Sequence, residues 1–148
     1  MLTPENTHRT LHVFNPSHDE ALAAGTPYYY PSVIARKLAS AWALLPALWA
    51  NNGDVVWVPD DVSTSSIPDW AQHVTLVHQS DLKKAFWETI HEIAPWGWDA
   101  LVRQQLNKAG APQTLLPNDE VLANVRQLSS RNTTALVLPK LRQMLHEQ

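Results

Sequence analysis

The sequence predicts an α/β fold with three layers, in which a mostly parallel sheet is covered by helices on both faces. Short apolar runs alternate along the chain with segments whose apolar residues recur every three or four positions. Within the apolar runs, polar residues do not alternate with apolar ones, so we expect both faces of the sheet to be buried. A helical segment at the carboxyl-terminal end completes the prediction.

The apolar runs predict three strands, over residues 11–14, 55–58 and 74–78. The first run ends at Asn15-Pro16, where a polar loop begins. This pattern is typical of a buried strand followed by a loop at one edge of a sheet. Gly53 lies in the turn before the second strand and can adopt the positive φ that such a turn requires. Residues 114–116 form a further strand-like run.

Helices are predicted over residues 32–45, 81–93, 99–109, 118–128 and 132–146. In the first of them, Ile34, Leu38 and Trp42 share one apolar face. Pro46 should end or kink that helix, because it has no N–H to donate. The expected N-caps of the second, third and fourth helices are Ser80, Asp99 and Asn118.

The composition excludes several classes of protein. The formal charge is −3 without a cluster of Lys or Arg, which argues against a nucleic-acid surface. No apolar run approaches the roughly 20 residues of a membrane helix, and the polar start, which carries Glu5, is unlike a signal peptide. The chain has no cysteine, which rules out disulfides and thiolate metal ligands and favours a cytoplasmic protein.

The four glycines are too scattered to form a phosphate-binding loop. They are Gly25, Gly53, Gly97 and Gly110, so neither the dinucleotide fingerprint nor the P-loop pattern occurs. Both patterns need clustered glycines that bring backbone N–H groups close to phosphate. We therefore expect no ATP, NAD or other cofactor to bind to this chain by itself.

The loop after the first strand is the main candidate site. Its polar side chains are those of Asn15, Ser17, His18, Asp19 and Glu20. The functional hypothesis is a substrate-binding or acid–base loop, with His18 and Asp19 as the titratable pair, at the sheet edge where α/β proteins bind ligands. The alternative is helix capping by Ser17 or Asn15, with the carboxylates of the next residues near the positive end of the helix. No metal is expected, because adjacent residues do not share one helix face.

Two aromatic clusters are further candidates. Tyr28 and Tyr30, in a segment between two prolines, could wall a pocket above that loop or cover the helix that follows. Trp96 and Trp98 either form a binding platform or lock their loop onto the core, with Asp99 capping the next helix. All four aromatic residues therefore join Asn15, Ser17, His18 and Asp19 as candidate substrate contacts.

Five segments, taken in order, resemble the amino-terminal half of ATP-grasp-type proteins of unassigned substrate. They are Asn15-Pro16-x-x-Asp19-x-Ala21-Leu22-Ala23, Leu44-Leu45-Pro46-x-x-Trp49-Ala50 with Gly53-Asp54, Trp96-Gly97-Trp98-Asp99, Leu115-Leu116-Pro117 and Leu128-Ser129-x-Arg131. The likeness extends from residue 11 to residue 131.

The resemblance implies a Rossmann-like, pre-ATP-grasp domain over residues 11–117, preceded by a polar segment of residues 1–10. Residues 118–148 would be a helical segment leading toward an ATP-grasp domain outside this chain. The implied activity is carboxylate–amine ligation in a longer protein, in which this domain contacts the substrate and the later domain holds ATP and magnesium. By itself the chain would not be catalytic.

Two other hypotheses come from different functional classes. In one, exposed tryptophans make the chain a protein-binding or oligomerisation module, since aromatic residues are enriched in interface cores. In the other, His18 and Asp19 serve a stand-alone hydrolase or isomerase, which requires a closed pocket around them. The expected partners are a small-molecule substrate, a second copy of the chain or an ATP-grasp domain, and neither nucleic acid nor a membrane.

Overall fold

The computed structural model describes residues 8–146, which contain one sheet of four parallel strands. The strands are β1 (Arg9–Val13), β2 (Val55–Trp57), β3 (Thr75–Val77) and β4 (Ile90–Pro95). Their spatial order is β3-β2-β1-β4, so the chain moves outward from β1 to β3 and then returns to the other side of β1. The α/β class and the parallel sheet are confirmed, and the strand order is Rossmann-like.

Six α-helices accompany the sheet within the described range. They are α1 (His18–Ala24), α2 (Val33–Ala41), α3 (Lys84–Trp87), α4 (Ala100–Lys108), α5 (Asp119–Leu128) and α6 (Arg131–His146). Short 3₁₀ turns occur at Leu45–Leu48, Asp69–Ala71, Gln79–Asp81 and Gln113–Leu115. Between residues 8 and 146, no helix is both long and apolar enough to cross a bilayer.

Both faces of the sheet carry buried apolar side chains, although His91 and Glu92 of β4 are exposed. Consecutive residues of a strand point to opposite faces, so Val55 and Val77 join one core cluster while Val56 and Leu76 join another. The first cluster contains Val102 and other residues of α4, together with residues of β1 and β4. The sheet thereby separates two apolar layers of side chains.

The helix predicted over residues 81–93 is wrong. Ser80 lies in a 3₁₀ turn and is not an N-cap; the short helix α3 follows, and β4 begins at Ile90. The spacing of Ile90 and Ile93 is compatible with a helix, but both side chains are buried in the core and their backbone pairs with β1. Tertiary pairing decides the outcome, since a continued helix would leave one edge of β1 without partners.

Smaller corrections concern strand boundaries. Residues 114–116 are not a strand, because a 3₁₀ turn forms between two prolines that cannot donate to a ladder. The first strand begins at Arg9 rather than Leu11, since Arg9 pairs with β4 and its Nε donates to the carbonyl of Gly53 at 2.8 Å. Residues 1–7 of the predicted polar segment 1–10 lie outside the described residues.

The apolar face predicted for the helix over residues 32–45 is present but exposed. That helix is α2, which ends at Ala41, and none of its residues is buried. Ile34 is 79% exposed and Trp42 is 55% exposed. Ala43 and Ala47, which follow α2, pack against the sheet in its place. Their small side chains let this irregular segment approach the strands closely.

Several local predictions are confirmed. The Asp99 carboxylate accepts a hydrogen bond from the Val102 N–H at 2.8 Å and caps α4, and Asn118 caps α5 in the same way. Gly53 adopts a φ of 90°, as its turn requires. Local chemistry therefore fixes the starts of α4 and α5.

A buried pair of polar side chains joins the sheet to the turn before β2. The Asp54 carboxylate accepts hydrogen bonds from the backbone N–H groups of Thr10 at 3.0 Å and Asn51 at 2.8 Å. Its Oδ2 also lies 3.1 Å from Nε2 of His12, which is itself buried in β1. Burial alone would raise the pKa of the Asp54 carboxyl, but these three donors together hold the pKa below its ordinary value.

Candidate functional site

A cleft of about 400 Å³ opens at the carboxyl ends of β1 and β2. The lining comes from the ends of β1 and β2 with the loops that follow them, from the segment before α2, and from parts of α2 and α4. It comprises residues 13–17, 29–31 and 57–60, Ala35, Arg36, Ala39, Gln79, Asp99, Leu101, Val102 and Gln105. The volume falls within the range of small-molecule sites, and ligands of parallel α/β sheets bind at this edge. The strand order therefore places the cleft where the sequence predicted a site.

The predicted site residues divide into two groups. Asn15, Ser17 and Tyr30 line the cleft. The others, which are His18, Asp19, Tyr28, Trp96 and Trp98, do not line it. Of the tyrosine segment, Tyr30 lines the cleft although it is 75% exposed, and Tyr28, which is 83% exposed, does not line it.

Asn15 joins the loop after β1 to the loop after β4. Its Nδ2 donates to the Gly97 carbonyl at 2.8 Å and to Oδ2 of Asp99 at 3.0 Å, and its Oδ1 accepts from the Gly97 N–H at 3.3 Å. These contacts fix the amide orientation, because each end of the side chain meets only complementary groups. Asn15 is therefore held rigidly on the cleft wall.

His18 extends the same network. Its Nδ1 lies 3.2 Å from Oδ2 of Asp99, whose carboxylate is only 2% exposed. Because a carboxylate oxygen accepts hydrogen bonds, Nδ1 of His18 is the donor in this contact. The titratable partner of His18 is thus Asp99, and the predicted pair of His18 with Asp19 is not formed.

Close approach of His18 explains why residue 97 is glycine. A Cβ on Gly97 would lie 2.4 Å from two atoms of the His18 ring. Gly97 is not among the residues with positive φ, so the space taken by the ring, rather than the backbone conformation, requires the missing side chain. We call the group formed by Asn15, His18, Gly97 and Asp99 the loop knot.

The loop knot leaves little chemistry available to Asp99. One oxygen accepts from the Val102 N–H and the other faces both Asn15 and His18, so both oxygens are occupied. Helix capping by the β1 loop itself is not observed, since Ser17 is the N-cap residue of α1 without a side-chain cap hydrogen bond. The loop knot consequently acts as a positioning device for the cleft wall.

Tyr29 fastens the segment between α1 and α2 over the cleft. Its hydroxyl donates to the Glu20 carboxylate on α1. This hydrogen bond, together with partial desolvation and the negative charge of Glu20, raises the pKa of the Tyr29 hydroxyl. The tyrosine therefore stays neutral and keeps its donor.

The two tryptophans of the second aromatic cluster have different environments. Trp98 packs against the core, so the alternative in which this cluster locks its loop is confirmed for Trp98. Trp96 is 57% exposed and contacts the rings of Phe14 and Trp49, with centroid distances of 5.7 and 6.1 Å. The exposed ring is compatible with the hypothesis of a protein-binding module.

Sequence reasoning missed Asp99, Arg36 and Asp60 as residues of the site. Asp99 was expected only to cap a helix, although its second oxygen binds Asn15 and His18 from across the sheet. Arg36 and Asp60 were not singled out from the sequence, yet both line the cleft. A polar residue at the end of β4 would have been a signal for Asp99, but that strand was itself mispredicted as a helix.

The described residues contain no group of three His, Cys, Asp or Glu side chains that could hold a metal ion. The third hypothesis needs a closed pocket around His18 and Asp19, and neither of these residues lines the cleft. Asp19 is exposed in the first turn of α1. No protein-family model matches the chain, and no curated protein or solved structure is significantly similar to it.

Proposed function

We propose that this chain is the substrate-side domain of an ATP-dependent, carboxylate–amine-type ligase and binds a small molecule in the cleft after β1 and β2. The observation that carries the proposal is the position of that cleft, at the edge where parallel sheets bind ligands, with Asn15 held rigidly in its wall. In this proposal the domain has three layers, with helices on both faces of the sheet.

The residues behind the resemblance support the ligase assignment. Asn15 and the segment from Trp96 to Asp99 belong to separate motifs of that pattern, and their side chains and backbone meet in the loop knot. Asn15 and Gly97 are 82 positions apart in the sequence, and their two motifs thus form one hydrogen-bonded unit beside the cleft. Because the glycines are scattered, we assign ATP and magnesium to a domain outside these residues.

The domain by itself is proposed to bind rather than to catalyse. Both oxygens of Asp99 are occupied by hydrogen bonds, and His18 does not line the cleft. A general base must reach the proton that it removes, directly or through one water. In the longer ligase, the cytoplasmic partner domain would supply the nucleotide and the reacting phosphate.

Filling the cleft is expected to weaken ligand binding without unfolding the chain. Ala39 lines the cleft from α2, so Ala39→Leu adds three carbon atoms to its interior, and binding of a cleft ligand should weaken about tenfold or more. The temperature of thermal unfolding is measured with and without each compound of a panel of small carboxylates, amines, amino acids and sugars. The compound that raises this temperature is the ligand, and the smaller rise in Ala39→Leu gives the loss of affinity.

The control is Ala41→Leu, which makes the same change at an exposed position of α2 away from the cleft. Ala41→Leu should leave every ligand-induced rise in the unfolding temperature unchanged. The proposal is wrong if no compound in the panel gives a shift that Ala39→Leu removes and Ala41→Leu keeps. In a longer protein with the ATP-grasp domain, ligand-dependent release of ADP should fall in Ala39→Leu and stay unchanged in Ala41→Leu.

The protein-binding module is the second candidate function, and a specific observation favours it. Four tryptophans, which are Trp42, Trp49, Trp70 and Trp96, are each more than half exposed. Burying such rings would favour self-association at high protein concentration. Light scattering should then give a mass above the 16.6 kDa of one chain, and a strict monomer would contradict this candidate.

A further inference from the structure

Arg36 is the only Lys or Arg side chain among the described residues that line the cleft. Its Nη1 donates to the Pro31 carbonyl at 2.7 Å, and its guanidinium carbon lies 4.7 Å from the centre of the Tyr30 ring. These two contacts hold the guanidinium in one orientation at the cleft wall while most of its five N–H donors stay available. The side chain is therefore prepared to bind a planar anion.

Asp60 supplies the opposite charge in the same cleft. It follows β2 and lines the cleft beside Pro59. Within residues 8–146, neither Arg36 nor Asp60 takes part in an ion pair, and Asp60 makes no hydrogen bond. Asp99 also lines the cleft, but its oxygens are occupied. Both free charges are consequently open to a ligand.

Apolar side chains form another part of the lining. This apolar part of the lining consists of Val13 on β1, Trp57 on β2 and Leu101 on α4. A ligand that matches the whole cleft therefore combines an anionic group, a cationic group and an apolar portion. Free amino acids have this combination, and the cleft volume of about 400 Å³ is large enough for one.

We propose that the cleft binds a small zwitterion of the amino-acid class, with its carboxylate on Arg36, its ammonium group near Asp60 and its side chain against Val13 and Trp57. This inference rests on the proposed function and specifies the substrate class of the same cleft. Arg36 and Asp60, whose side chains are both exposed, then determine specificity, because each attracts the ligand charge opposite to its own and repels the other.

The experiment uses thermal unfolding with the standard L-amino acids. For the amino acid with the largest shift, the matching amine without the carboxylate and the matching acid without the amino group are measured as well. Arg36→Gln should weaken binding of the amino acid and of the acid by about 10- to 100-fold. Asp60→Asn should weaken binding of the amino acid and of the amine, and leave that of the acid unchanged.

Lys37→Gln is the matched control, since it removes a neighbouring positive charge of α2 that does not line the cleft. Each shift is taken relative to the ligand-free protein of the same variant, so a change in basal stability does not affect the comparison. The inference is supported if Arg36→Gln weakens binding of the acid and Asp60→Asn weakens binding of the amine. Absence of a shift with every amino acid, or an equal effect of both variants on all three probes, overturns it.

The outcome also separates this inference from the proposed function. If a sugar or another compound without charge gives a shift that Ala39→Leu removes, then the cleft binds a small molecule and only the zwitterion assignment fails. If Ala39→Leu removes no shift for any compound, both fail together.

Discussion

Replacing Asp99 with alanine is expected to lower the free energy of unfolding by about 3–5 kcal/mol. The carboxylate is buried, and its removal takes an acceptor from the Val102 N–H, the Asn15 amide and the His18 Nδ1, of which the amide keeps the Gly97 carbonyl. The Val102 N–H is buried and the other two donors are partly buried, so the three lost hydrogen bonds together make a large effect. Denaturation by urea, followed by tryptophan fluorescence, measures this change.

Two variants separate the parts of the Asp99 effect. Asn118→Ala removes an N-cap of the same kind at an exposed site, where no second interaction is lost, and should cost about 1 kcal/mol. Asp99→Ser keeps a capping oxygen but cannot also reach Asn15 and His18, so its stability should lie between those of the alanine variant and the natural protein. If Asp99→Ala costs no more than Asn118→Ala, the loop knot does not stabilise the fold.

The starts of α4 and α5 and the apolar character of β1, β2 and β3 could be predicted because they depend on neighbouring residues. Asp99 and Asn118 are followed at once by the N–H groups that they cap, so their role follows from the local sequence. The strand β4 could not be predicted in the same way. Ile90 and Ile93 fit a helix by spacing, and only the unpaired edge of β1 makes them a strand.

The exposed face of α2 has a related cause. Periodicity indicates that Ile34, Leu38 and Trp42 share a face, and they do. It does not indicate which segment packs on the sheet, and here Ala43 and Ala47 occupy that position. Which segment covers a sheet face depends on competition between parts of the chain, and this competition is settled by packing rather than by the pattern of either segment.

The candidate site was predictable on one side only. A polar loop directly after a buried strand indicates the sheet edge, and this reasoning correctly brought Asn15 and Ser17 to the cleft. The contribution of Asp99 depends on two segments more than 80 residues apart meeting across β1 and β4. Adjacency in the sequence suggested Asp19 as the partner of His18, whereas the fold brings Asp99 to it.

The buried Asp54 carboxylate gives the second large effect. Asp54→Asn is expected to lower the free energy of unfolding by about 2–4 kcal/mol, because an amide places a donor where the carboxylate accepts from Thr10, Asn51 and His12. At least one buried N–H would then face another donor. Chemical denaturation at neutral pH measures the difference between the variant and the natural protein.

The same substitution should make that difference depend on pH. The folded-state pKa of Asp54 is lowered, so its contribution to stability is fully present above the unfolded-state pKa of about 3.9 and is lost as the pH falls through the folded-state value. The gap between the two proteins should therefore be constant from neutral pH down to about pH 5 and shrink below about pH 4.

Asp60→Asn is the control, because Asp60 is exposed and makes no hydrogen bond within the described residues. Its effect should stay within about 0.5 kcal/mol at every pH. The carboxylates that the compared proteins share contribute equally to each free energy of unfolding. The change with pH in the difference between Asp54→Asn and the natural protein therefore reports on the Asp54 carboxyl. A gap that persists unchanged into acid would mean that the charge of Asp54 does not hold β1 to the turn before β2, and that the shape of its side chain alone does so.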